Sequence, residues 1–194
     1  MSNTTKGGVQ RLDLDQITLN GSAATCTGAE ITAVCSGNTA TAAEINAVAD
    51  RSARIVTVTT SSLTLTAASH SDRTVVVTRA GGSTLTLPQA TGTGARFRVT
   101  YFNASPSGSL IVKVTDATDI FYGVAILSQD AADTAVMFET AADTDTVTIN
   151  QTTTGVGNGC LVELEDLATN VWLVRVTASA TGVEATPFSA TVSS

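Results

Sequence analysis

From Arg54 onward the chain is built of short runs in which an apolar residue recurs at every second position with Thr or a charged residue between: RIVTVTT, SLTLTAA, STLTLP, ARFRVTYF, LIVKVTD, TDTVTIN. A period of two gives a strand one apolar face and one polar face, whereas a helix needs a period near 3.6. The runs recur at intervals of roughly 8–12 residues with almost no helical period between them, the pattern of a β-sandwich or barrel. Composition points the same way. Apolar residues make up 43% of the 194 positions but aromatics only 4% and charged residues 14%, so the weight falls on Val, Ala, Gly and Thr, and β-branched side chains favour a pleated surface.

Two pairs of runs read as hairpins. RTVVVTRA and STLTLP flank Gly81-Gly82, and CLVELED and VWLVRVTA flank Leu167-Ala168-Thr169-Asn170. DIFYGVAIL and TAVMFET supply further strands, residues 103–109 form an Asn/Ser/Pro/Gly loop, and the tail GVEATPFSATVSS has room for one last edge strand. The string GVGNG at 155–159 lies between polar threonines and a strand; it is read as a turn, because a dinucleotide fingerprint must follow a strand and open a helix. Trp172 is expected in the core or at an interface.

The first fifty residues read differently. Residues 1–10 are polar, and RLDLDQITL then alternates Leu12, Leu14, Ile17 and Leu19 with Asp13, Asp15 and Gln16, as a short strand or extended arm with one apolar face. GAEITAV at 28–34 returns as AAEINAV at 42–48, with Glu30 and Glu44 fourteen positions apart. Thr27 with Glu30, and Thr41 with Glu44, have the spacing of a capping box. Each copy is therefore expected to form a short helical turn that sets Ile31 beside Val34, or Ile45 beside Val48. Burying one Ile and one Val does not offset the backbone entropy of ordering such a turn, so the arm is expected to complete itself against sister chains or a partner. The resulting expectation is an all-β protein: an arm over 1–53 with two short helical turns, then a sandwich or barrel over 54–194.

Chemistry is sparse. The net charge is −7 with a single histidine, which argues against a phosphate-binding surface for DNA or RNA. His70 has Ser69, Ser71 and Asp72 as sequence neighbours, but adjacent side chains on a turn diverge and do not make a triad; it is expected to be an exposed turn residue. Cys26, Cys35 and Cys160 form no CxxC pair and are read as buried thiols. The acids pair up in sequence, Asp116 with Asp119, Asp130 with Asp133, Asp143 with Asp145, and Glu163 with Glu165 and Asp166. Solvated turns are the default for them, with surface Ca²⁺ the alternative. No cofactor, metal site or catalytic set is expected, and no membrane span. The opening MSNTTKGGVQ has no apolar run of the signal-peptide kind, so the chain is expected to be made in a cytoplasm.

Several phrases resemble those of tailed-bacteriophage virion proteins. TATAAEINAVAD is similar to a Thr-Ala-x-Glu-Leu/Ile-Asn phrase of head decoration proteins and tail fibres, and STLTLPQATGTGARFRVTYF to a strand-turn-strand of the same proteins. FETAADTDTVTIN and WLVRVTASATGVEATPFSATVS extend the likeness over roughly residues 39–193. The resemblance implies a capsid decoration, or cement, protein: a homotrimer on the outer capsid surface, bridging neighbouring major capsid protein subunits. It implies that Thr41, Glu44, Ile45 and Asn46 belong to the docking segment, and that Leu87-Pro88, Gly92 and Gly94 define a turn. The first copy departs from the phrase at Gly28 and Thr32. The alternative it carries is a tail-fibre or head-fibre module binding host cell-surface carbohydrate.

Overall fold

The computed structural model describes residues 17–19, 22–24, 54–130 and 134–192. The chain divides into two compact units, Met1–Ala49 and Asp50–Ser194. In the first, β1 (Ile17–Leu19) pairs antiparallel with β2 (Ser22–Ala24). The two helical turns expected at 27–48 lie outside the described residues.

The second unit is a sandwich of two sheets sharing one core. Its elements are β3 (Ile55–Val58), β4 (Ser62–Thr64), the single-turn α1 (Ala67–His70), β5 (Thr74–Val77), β6 (Ser83–Thr86), β7 (Arg96–Tyr101) and β8 (Leu110–Lys113), followed by β9 (Ile120–Gln129), β10 (Ala135–Glu139), β11 (Thr146–Ile149), β12 (Leu161–Ala168), β13 (Val171–Ala180) and β14 (Phe188–Ser189). One sheet has seven strands in the order β10-β9-β13-β12-β7-β5-β3, the other five in the order β14-β11-β8-β6-β4.

The first six of these strands wind as a coil. β3, β5 and β7 lie parallel in the large sheet, and β4, β6 and β8 lie parallel in the small one. The chain thus crosses between the sheets five times, three times from the large sheet to the small one and twice back, with successive turns stacked on one another. Val75 and Val77 of β5 and Leu85 of β6, with Leu87 just beyond it, are fully buried in the shared core. The expected hairpin across Gly81-Gly82 is therefore corrected: its two runs sit in different sheets and face each other across the core. Alternation identifies a buried face but is silent on which neighbour supplies the ladder, and five residues separate Val77 from Ser83.

The second half closes the sheets with antiparallel pairs. β12 and β13 form the expected hairpin, with Asn170 in the left-handed region at φ 63° and a register shift between Asp166 and Ala168. β9 and β10 form another, and β13 pairs parallel with β9. The tail supplies β14 at the edge of the small sheet. Trp172 is fully buried and meets Phe97 edge to face at 5.7 Å, an aromatic geometry favoured by the ring quadrupoles.

Stacked turns need corners that approach closely. Gly82 has φ 73°, and a Cβ there would lie 2.0 Å from the Ser109 carbonyl oxygen; a Cβ on Gly108 would lie 2.1 Å from that of Gly81. The Ser83 N–H donates to Ser109 O (3.1 Å), and the Ser107 and Gly108 N–H groups donate to Ala80 O (2.8 and 3.0 Å). The Tyr101 hydroxyl reaches the Arg79 and Ala80 carbonyls at 2.7 and 2.8 Å. Gly82→Ala is expected to lower unfolding stability by roughly 3 kcal/mol or more, combining the left-handed penalty with overpacking. Gly94→Ala, with φ 72° but nothing within 4 Å of a Cβ, should cost only about 1–2 kcal/mol; equal urea midpoints for the two variants would contradict the corner packing.

Candidate functional site

Of the residues expected to form an interface, Leu12, Leu14, Ile31, Val34, Thr41, Glu44, Ile45, Asn46 and Val48 lie outside the described residues. Ile17 opens β1.

Three acids that were expected on solvated turns are instead buried, which is a correction with a common physical cause. Asp119, Asp145 and Asp166 are each under 5% exposed, and each carboxylate accepts backbone N–H groups of a passing loop. Asp145 takes the Thr191 and Val192 N–H groups at 2.8 and 3.0 Å, tying down the tail. Asp166 takes those of Thr91 (2.9 Å), Gly92 (2.7 Å) and Thr93 (3.0 Å), together with the Thr93 hydroxyl at 2.6 Å. Successive N–H groups converging on one anion form a nest. Asp119 takes the Ala90 N–H at 3.0 Å. The turn from Leu87 to Ala95, which carries the chain from the small sheet back to the large one, is thus held by two carboxylates from elsewhere in the chain.

Their protonation is driven apart. Burial pushes the Asp166 carboxyl up, but the hydrogen bonds from Thr93, Gly92 and Thr91 outweigh it and hold the group below its ordinary value. Burial dominates at Asp119 and raises it, against the Ala90 N–H and with the nearby charges of Asp116 and Asp166. The Trp172 indole lies near enough to favour the Asp119 anion, yet Asp119 Oδ1 and Trp172 Nε1 are both buried without a hydrogen bond. Asp116 keeps the turn role, accepting from the Thr118 N–H and hydroxyl, and these bonds lower its pKa. Asp133 lies outside the described residues.

His70 is also corrected from exposed to buried. It ends α1, and its Nδ1 accepts the Thr66 N–H at 3.0 Å. Cys160 is buried as expected, and burial pushes its thiol up to about 11. The 155–159 string is a turn between β11 and β12. Among the described residues, no group of three His, Cys, Asp or Glu side chains is placed to hold a metal ion, and no helix is long and apolar enough to cross a membrane.

The outer face of the seven-stranded sheet is exposed. Cross-strand register there runs Glu139, Val124, Arg175, Glu163, Arg98 from β10 to β7, with Tyr122, Leu173, Glu165, Arg96 in the adjacent row. Its charged half is an open concavity of about 700 Å³ lined by Arg54, Arg73, Arg96, Arg98 and Arg175. Asp72, Glu163 and Glu165 line it too. The Arg96 Nη2 to Glu165 Oε1 distance is 3.1 Å, and this hydrogen bond raises the guanidinium pKa. Beyond half-buried Leu173 the face turns apolar, with Tyr122, Val124, Ile126 and Met137 exposed by 41–69%. Sequence reading missed this face because its arginines are scattered from 54 to 175 within an acidic chain; only the strand register gathers them.

No family model, curated protein or solved structure matches the chain.

Asp166→Ala would orphan three backbone N–H groups and is expected to cost about 3 kcal/mol or more. Because the folded pKa of Asp166 is lowered, its contribution is complete above the unfolded value of about 3.9 and is lost as pH falls through the folded value. Asp119 has the opposite sign: its contribution is present below about 3.9 and is lost as pH rises through the raised value. Thermal midpoints of the wild type should therefore fall more steeply below about pH 4 than those of Asp166→Asn; parallel curves would refute the nest's role.

Proposed function

We propose that this chain is a structural protein of a tailed-phage virion, decorating and stabilising the outer capsid surface by bridging major capsid protein subunits. The reading rests on the likeness of residues 39–193 to virion-protein phrases, and on one feature of the folded body. Its buried carboxylates, Asp119, Asp145 and Asp166, bind the protein's own backbone, a use of acidic groups that stiffens a scaffold. In this proposal the segment 1–53 attaches to capsid or sister chains as a homotrimer, and the sandwich stands outward. A shell then gains resistance to internal pressure through added buried area, since many modest contacts act together on a repeating lattice.

Purified protein added to heads that lack it should bind and raise their heat resistance. Ile45→Asp or Val48→Asp is expected to weaken attachment at least about tenfold, which is about 1.4 kcal/mol, with unchanged β-signal in circular dichroism. Undiminished occupancy by these variants would contradict the attachment role. Binding to host cells but not to heads would contradict the capsid reading and favour a carbohydrate-binding fibre module.

A further inference from the structure

We propose that the arginine concavity on the outer face of the seven-stranded sheet docks an extended acidic polypeptide segment of a partner protein. The argument is one of charge, spacing and continuity. The chain carries ten Lys and Arg against seventeen Asp and Glu, yet five of those ten line this concavity, facing three carboxylates. Gathering like charges opposes folding and is not selected by the sheet itself, because polar or β-branched residues would serve the exposed positions equally well. Among the described residues, only Arg96 of the five has a carboxylate within 4.0 Å. Guanidinium forks suit carboxylates, which they grip through two parallel hydrogen bonds.

The carboxylates in the concavity select among anions. Glu163 stands in register between Arg98 and Arg175, and Glu165 beside Arg96. A polymer charged at every unit, such as a polyphosphate or a polyuronate, would set negative groups against them. A polypeptide can present acids to the arginines and neutral side chains to the glutamates. The spacing fits as well, since Arg96 and Arg98 stand two residues apart on one face of β7, about 6.7 Å along the strand, the repeat of same-side residues in any extended chain. Past Leu173 the same face continues into the exposed Tyr122, Val124, Ile126 and Met137, where apolar side chains of that segment would leave water. The inference is independent of the capsid reading, because it uses no residue before Arg54.

The test uses the full-length protein and a labelled, blocked decapeptide that carries, on one extended face, two glutamates two residues apart followed by leucines, with fluorescence anisotropy as the readout. Binding should be at least about tenfold tighter than for the glutamine–leucine analogue, and should weaken as salt shortens the reach of charge. Arg98→Gln/Arg175→Gln, exposed substitutions that leave the core alone, should lose at least about tenfold. Arg98→Lys/Arg175→Lys should fall between, keeping charge but not the fork. Equal affinity of wild type and the glutamine variant would overturn the site. Polyphosphate or polygalacturonate binding as tightly as the peptide would overturn the assigned partner class.

Discussion

The sandwich depends on how closely two backbone corners can stack. The three crossings from the large sheet to the small one lie on top of one another at the spacing of neighbouring strands, and the corners after β5 and β7 meet with no side chain between. Gly82 and Gly108 satisfy this by leaving out a Cβ where the opposing carbonyl oxygen lies about 2 Å from its ideal position. The carbonyls and N–H groups so brought together are then used rather than stranded: Ala80 O accepts two N–H groups and the Tyr101 hydroxyl, and Ser109 O accepts the Ser83 N–H. A buried backbone group without a partner is costly. Close approach and hydrogen bonding are therefore one constraint, and it is met where β5 stacks parallel on β7 in one sheet and β6 on β8 in the other.

The opposite end of the coil meets the same difficulty with charge. The turn between β6 and β7 points several N–H groups inward, and Asp166 and Asp119 answer them from β12 and from the start of β9's approach. A carboxylate supplies several lone pairs at one point, which suits converging N–H groups better than any neutral side chain. The two acids are pushed in opposite directions because burial outweighs the single Ala90 N–H at Asp119, where the nearby Asp116 and Asp166 charges add to it, whereas the donors from Thr91, Gly92 and Thr93 outweigh burial at Asp166.

Much of this was legible from residue order. Period-two alternation located the strands and their buried faces, Trp172 fell in the core, and the β12–β13 hairpin followed from two runs around a four-residue turn. Pairing across the core was not legible: Thr74–Val77 and Ser83–Thr86 look like a hairpin because alternation carries no information on sheet membership. The buried acids were hidden for a related reason, since Asp166 meets Thr91 to Thr93 across more than seventy residues. The arginine face needed register, which aligns Arg175, Glu163 and Arg98 from three strands. A rigid body with an outward charged and apolar sheet face is suited to contact, and this links the architecture to the proposed roles in assembly and docking.

Amide hydrogen exchange at the corners tests the central claim most directly. If stacking is set by the glycine corners, the Ser83, Ser107 and Gly108 amides should exchange as slowly as the core amide of Val75, opening only with global unfolding. Exchange at these three positions as fast as in a solvated loop, while Val75 stays protected, would contradict the account.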